Sequence, residues 1–325
     1  MNYQIINSFI NKFDPELAHS LAIQFLKNIY IPIFSSKDDE ILKINVLGKK
    51  FSNPIGLAAG FGNLKPRVFR LNEDEAIINR LGFPNEGLHK IKSRIESKKV
   101  EGILGINIGP NKDSASRIDD YVECFKNFHN LCSYICINIS SPNTENLRNF
   151  HDQENLKKLL SEILEIKKIL DSKTPVVLKI SPDINDGDIN IICKNILEFN
   201  LDGLVLTNTS IKLRENLVSD KKNEVGGLSG MPINETSNLI IKKFFKIIKN
   251  KIPIIGVGGV SSGATAYEKI RAGASLLQLY TGLVYKGPFI VKTIKNELAK
   301  LLKKDGFSSL QEAVGVDSEQ VNHQS

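Results

Sequence analysis

The chain has 325 residues, 41% of them hydrophobic, and a formal net charge of +7. That length and composition fit one large folded domain or two ordinary ones and exclude a disordered chain; the scattered lysines, without zinc-finger spacing, ribonucleoprotein aromatics or a basic tract, exclude nucleic acid as the natural partner and leave anionic lipid as the reading of the charge. No run of about 18 apolar residues and no cleavable leader occurs, so neither a membrane span nor secretion is expected, and Cys124, Cys132, Cys136 and Cys193 lack metal-ligand spacing and read as buried or free thiols of a reducing compartment.

Residues 3–13 and 15–30 have helical periodicity, and Asp14, Pro15 and Glu16 make a good helix start. Residues 1–40 are therefore expected to form an amphipathic hairpin, either packed on the rest or laid into a membrane interface. Residues 41–325 form the second unit. A short pair of strands at its start leads into an apolar run at 54–59. Further runs follow at 102–108, 134–140, 175–181, 203–209, 253–259 and 276–282, separated by helical stretches at 114–131, 154–170, 186–199, 233–250, 262–272 and 288–303. Alternation of this kind predicts an α/β fold on a parallel sheet.

Polar residues and glycines recur at the strand ends: Asn107, Asn138, Lys179, Thr207 with Asn208, Gly258 with Gly259, and Tyr280 with Thr281. In a (β/α)8 TIM barrel those ends share the face that carries the active site. A doubly wound sheet would ask for GxGxxG at its first turn, which is absent. The stretch YICINISSPNTENLR, 134–148, reads as a buried strand emptying into a polar loop that either caps itself or carries chemistry. Late glycines in GGLSG (226–230) and GVGGVSSG (256–263), with Thr281 after the next strand, suggest a phosphate cradle, and the serines of the second run open a helix. Lys179 in VVLKIS needs an anion if it points into a barrel, either a protein carboxylate or the anionic edge of a reduced flavin. Asn79, Asn138, Asn143 and Asn208 both donate and accept, which suits a cyclic urea or imide. The long polar stretch 210–225 reads as a lid.

These residues lie in motifs that together resemble the dihydroorotate dehydrogenases of the membrane-associated, quinone-reducing class. The matching runs are DPELAH (14–19), NPIGLAAGF (53–61), KPRVFRLNEDEAIINRLGF (65–83), GINIGPNK (105–112), INISSPNTENLR (137–148), VVLKISPD (176–183), GLVLTNTS (203–210), GGLSG, PIIGVGGVSSG and QLYTG. The resemblance implies oxidation of dihydroorotate to orotate in pyrimidine synthesis, with FMN as cofactor and a membrane quinone as acceptor. It implies a peripheral place on the cytoplasmic side of the inner membrane. It assigns Ser141 as the catalytic base, where the cytosolic class has cysteine. FMN would lie on Ala59, Gly60, Asn107, Asn138, Lys179, Thr207, Gly230, Gly259, Tyr280 and Thr281. Asn79, Arg80, Leu81, Gly82, Phe83, Asn138, Asn143, Asn208 and Thr209 would hold orotate, and His19, Arg70 and Tyr280 the quinone. A barrel of this family that has lost its catalysis, or another FMN-dependent barrel oxidoreductase, are the alternatives.

One departure stands out. Where the family's GLAAGF runs on into an aspartate and a lysine that touch flavin and substrate, then a helix and a strand ending in glycine and threonine, this chain continues from Phe61 as GNLKPRVF. Seven strand runs stand where a closed barrel has eight, and one unit of a barrel of about 250 residues is roughly 30 residues. A seven-strand, incomplete barrel is expected. Either the unit is absent from the molecule or residues intervene near Gly62 and Asn63; a Cα spacing of about 3.8 Å marks a continuous peptide there.

Overall fold

The computed structural model of the protein describes Leu17 and residues 37–60, 68–83, 85–98, 100–111, 113–144, 147, 150 and 152–318. The expected hairpin up to residue 36, with His19, lies outside the described residues apart from Leu17. Residues 61–67, where the Cα spacing bears on the missing unit, lie outside them as well.

Strands β1 (Ile44–Val46) and β2 (Lys49–Phe51) form an antiparallel hairpin, and its turn residues Leu47 and Gly48 both have positive φ. Then come β3 (Ile55–Leu57), β4 (Val68–Leu71), β5 (Ala76–Asn79), α1 (Leu88–Glu96), β6 (Gly105–Ile108), α2 (Arg117–Phe128), β7 (Tyr134–Asn138), α3 (Gln153–Ile169), β8 (Val176–Ile180), α4 (Asp186–Glu198) and β9 (Gly203–Leu206). The chain continues with β10 (Gly227–Gly230), α5 (Asn234–Ile248), β11 (Ile254–Val257), α6 (Gly263–Ala272), β12 (Leu276–Leu279), α7 (Thr281–Lys286), α8 (Ile290–Lys304) and α9 (Leu310–Ala313). Helix starts follow local chemistry. Asp152 accepts from the amides of Glu154 and Asn155, Asn185 from that of Asp188, and Ser262 with Thr265 makes a reciprocal cap at the serines that the sequence singled out.

Seven strands lie in one parallel sheet in the order β3-β12-β11-β9-β8-β7-β6, and they fall on the seven apolar runs. The sheet is curled. Gln278 on β12 donates from Nε2 to Tyr134 Oη on β7 at 3.2 Å, although four inter-strand steps separate the two, about 19 Å in a flat sheet. The curl is the barrel's, and it stays open. Among the described residues β3 pairs only with β12 and β6 only with β7, so the place between them, where an eighth strand belongs, has none. Leu57 beside this seam is 56% exposed.

The core lies between the sheet and its helices. Val176, Val177, Leu178 and Ile180 of β8 are fully buried, as are Tyr121 and Phe125 of α2; burying each such side chain stabilises by about 1.5–3 kcal/mol. A second, small core lies under the antiparallel sheet β10-β5-β4, built from Leu71, Ala76, Ile78, Leu217, Leu228 and Ile233. GGLSG, read from the sequence as a glycine loop, is thus largely a strand. Its first glycines allow close approach: a Cβ on Gly226 would stand 2.3 Å from the Asn79 carbonyl oxygen. The stretch 210–225 is held at its neck, because the Arg214 guanidinium donates to the carbonyls of Lys222, Glu224 and Gly226 and Asp74 accepts from the amides of Val218 and Ser219.

Asp38 ties the start of the described core to α8 through an ion pair with Lys295, both side chains being nearly buried. Burial raises the Asp38 pKa, but hydrogen bonds from Lys295, Ser52 and Asn53 outweigh it and hold the carboxyl below its ordinary value. A depressed folded pKa stabilises above the unfolded value of about 3.9 and is lost as pH falls through the folded one. Asp38→Asn leaves a largely buried ammonium unpaired and is expected to cost about 3 kcal/mol at neutral pH. Denaturant titrations at pH 7 and in the acid range check this; an unaltered difference between the two proteins from pH 7 down to 2 would contradict the assignment.

Candidate active site

Beyond the carboxyl ends of the strands lies a cavity of about 330 Å³, with the β10-β5-β4 sheet over part of it. Its lining brings together Ala59, Gly60, Asn107, Asn138, Lys179, Thr207, Gly230, Gly259, Tyr280 and Thr281, the set expected for FMN. It includes also Asn79, Leu81, Gly82, Phe83, Asn143, Asn208 and Thr209, expected for orotate, and Ser141.

At one end three elements form a glycine cradle. Gly230 ends β10 with φ +105° and Gly259 follows β11 with φ +75°. A Cβ on Gly230 would stand 2.3 Å from the Glu75 carbonyl oxygen, and one on Gly259 2.4 Å from Asn234 Cβ. Only glycine fits either place. Thr281 opens α7, and its hydroxyl shares a hydrogen bond of 2.8 Å with Ser229. Glycine amides joined to a hydroxyl suit a phosphate.

In the middle the interior is polar and under-satisfied. Lys179 is 7% exposed, lines the cavity, and has no ion pair among the described residues. Burial lowers its pKa, while the field of Cys136 acts the other way. The Cys136 thiol is itself pushed up to about 12 by burial, so it carries no charge at neutral pH to offset the ammonium. Asn107 Oδ1 and Thr207 Oγ1 are buried without a hydrogen-bond partner among the described residues. An ammonium, an amide and a hydroxyl left open toward one cavity fit the polar edge of a flavin ring, and the glycine cradle fits its phosphate; the residues present match FMN.

At the other end stands a ring of amides. Asn208 Nδ2 donates to Ser140 Oγ at 2.8 Å and to Asn138 Oδ1 at 3.3 Å, while Asn143 Nδ2 donates to the carbonyl of Asn79 at 3.1 Å. Ser141, 7% exposed, accepts at Oγ from the Asn143 amide at 3.3 Å. Among the described residues no histidine or aspartate lines the cavity, so Ser141 has no triad partners for acyl transfer.

Comparison with known proteins settles the family. The family model described as dihydroorotate dehydrogenase matches residues 61–302. The chain belongs to the dihydroorotate dehydrogenase family. It is 42% identical to dihydroorotate dehydrogenase (quinone) of Parvibaculum lavamentivorans, over 97% of this chain and 98% of that one. It is 40% identical to the mitochondrial dihydroorotate dehydrogenase (quinone) of Mus musculus, over 94% and 87%. The crystal structure of DHODH from Eimeria tenella in complex with ferulenol superposes with a TM-score of 0.89 at 34% identity, over 94% of this chain and 96% of that one.

The alignment with the Parvibaculum protein runs over 346 positions yet takes in 97% of 325 residues, so about 30 positions fall opposite gaps in this chain. That is the size of one βα unit in a barrel of the dihydroorotate dehydrogenase type. Two expected residues are not drawn into the cavity. Arg80 turns outward, its Nη1 2.9 Å from Glu224 Oε2 and its guanidinium over the Phe69 ring. Arg70 lies on β4, where its charge acts on Tyr285, and it is absent from the lining. Sequence reasoning missed Ser140, Ser229, Gln278 and Tyr285. Of these, Ser140 adjoins Ser141 in the motif and was legible there; Tyr285, whose hydroxyl donates to the Ala76 carbonyl, had no signal.

Proposed function

We propose that this protein oxidises dihydroorotate to orotate, with FMN as its cofactor and a membrane quinone as the final acceptor, in pyrimidine biosynthesis. The observation that carries this reading is Lys179: a buried lysine with no counter-ion among the described residues, facing a cavity closed at one end by a glycine cradle and at the other by neutral amides. Bound FMN supplies a two-electron acceptor. The chain's own residues bind and orient. Gly230, Gly259 and Thr281 hold the phosphate, Lys179 and Asn107 the pyrimidine edge, and Asn79, Asn138, Asn143 and Asn208 the substrate ring and carboxylate, with Thr209 beside them. Ser141 Oγ receives the proton from C5 of dihydroorotate. Serine is a weak base, so its proton passes on to a neighbouring hydroxyl or water. Residues 1–40 provide the membrane contact, and His19, Arg70 and Tyr280 the quinone positions, on the cytoplasmic side of an inner membrane. Among the described residues no helix is long and apolar enough to cross a membrane.

A specific observation favours a second reading. The seam between β3 and β6 stands where the family's second βα unit contributes a lysine and a threonine to the flavin, and a chain without them binds FMN and turns over poorly or not at all. The visible spectrum separates the two. The full chain, saturated with FMN and desalted, is expected to retain the flavin, and anaerobic dihydroorotate is expected to bleach it. Retention without bleaching would support the second reading; no retention would overturn both.

A further inference from the structure

Behind the glycine cradle, on the side away from the cavity, α6 buries a lysine that the proposed chemistry does not use. Lys269 is fully buried, and its stem crosses β11 where a Cβ on Gly256 would stand 2.8 Å from Lys269 Cγ and Cδ. Its Nζ donates to Asn238 Oδ1 at 2.6 Å and to Ser237 Oγ at 3.1 Å. Ser237 Oγ in turn donates to the Val257 carbonyl at 2.7 Å, one residue before Gly258 and two before Gly259. The same serine packs against the turn, since a Cβ on Gly258 would stand 3.1 Å from Ser237 Cβ. An ammonium, a hydroxyl and a strand-end carbonyl thus form one chain from the last turn of α6 to the phosphate turn.

We propose that Lys269 is a positioning residue of the phosphate site, holding the Gly258–Gly259 turn through Ser237 and placing a buried positive charge behind it for the phosphate dianion of FMN. The inference rests on the FMN reading above. A buried ammonium bonded only to neutral acceptors is costly by itself. An anion on the far side of the turn offsets that cost in the bound state. The groups facing Lys269 bear this out: α5 presents Ser237 and Asn238, both neutral, and β11 presents a glycine. Glu268, on the lysine's own helix, is the carboxylate whose field raises it, and it accepts from Asn234 Nδ2 at 3.2 Å. Glu297, reaching α6 from α8, is engaged with the Gly263 amide at 2.6 Å. Burial lowers the Lys269 pKa to about 7, and a bound phosphate raises it again by linkage. FMN affinity therefore falls as pH rises above about 7.

The test compares FMN with riboflavin, which has the same ring system and no phosphate, by fluorescence titration of the full-length protein stripped of flavin. Lys269→Met keeps the apolar stem and removes the charge. It is expected to weaken FMN by about tenfold, the scale of one charge acting on an anion across a short polar path, and to leave riboflavin unchanged. In the parent protein the ratio of FMN to riboflavin affinity should fall between pH 7 and 9; in the variant it should be flat over that range. Equal weakening of both ligands, or a parental ratio independent of pH, would overturn the proposal. The parental pH profile needs no mutation, so it decides even where the variant fails to fold. A parent that favours FMN over riboflavin by a ratio independent of pH removes only this inference, whereas a parent that binds both equally, or neither, removes the FMN reading with it.

Discussion

Inserting a family βα unit of about 30 residues after Phe61 is expected to close the sheet and raise the rate of flavin reduction by dihydroorotate by at least about 10²-fold. The first part follows from topology. Among the described residues β3 and β6 each have one neighbour, and unpaired parallel edges leave backbone donors and acceptors without partners beside the cavity. The second part follows from positioning. Ala59 and Gly60 after β3 and Asn107 on β6 line the cavity from the two sides of the seam, and no described strand between them fixes their separation. A misplacement of about 1 Å at a reacting centre costs on the order of 10²-fold. Hydrogen exchange reads the structural part: amides of β3 and β6 should slow on insertion while those of β8, already paired on both sides, stay as they were. Slowed exchange with no gain in flavin reduction would mean that the seam is not what limits chemistry. Unchanged exchange would mean that the unit does not enter there.

Ser141→Ala, made in the parent and in the closed barrel, is expected to lower flavin reduction by dihydroorotate by about 10²–10⁴-fold, the usual contribution of a positioned general base. Bound FMN should be retained. The two effects separate because Ser141 sits among the amides, on the loop after β7, and not in the glycine cradle. The one further effect to watch is on the Asn143 backbone N–H, which loses its 3.3 Å bond to Ser141 Oγ. Orotate binding, followed through the shift it causes in the flavin spectrum, controls for this. A variant reduced at the parental rate would exclude Ser141 as the base. A variant that loses orotate as well as reduction would place its role in binding.

Much of this architecture was legible in the residues. Parallel strands covered on both faces read as unbroken apolar runs, and all seven were visible as such. The glycines of the second cradle loop and its capping serines follow from backbone geometry that a few neighbouring residues impose, so Gly259 and Ser262 carried their meaning locally. Lys179 was legible for a different reason: an ammonium inside an apolar run calls for an anionic partner. The seven-strand count, and with it the open seam, was legible by simple comparison of strand number with the closed form.

What tertiary structure decided is pairing at a distance. GGLSG became a strand because β5 lies beside it, with Asn79 Nδ2 reaching the Gly227 carbonyl across 148 residues of sequence. No local pattern encodes that partner. Arg80 belongs to a motif full of cavity residues, yet it turns outward because Glu224 and the Phe69 ring offer it a half-exposed ion pair and a cation–π contact, where burial would cost its hydration. Lys269 looked like one more lysine on an amphipathic helix. Only the packing of α6 over Gly256, with Ser237 and Asn238 of α5 as acceptors, takes it out of water. Sequence determined which segments become strands and which loops carry polar groups, because those depend on spacing and local backbone freedom. Which of those groups meet was settled by the curl of the sheet and the order of its strands, since contacts between β12 and β7 or β5 and β10 exist only once the chain has closed around them.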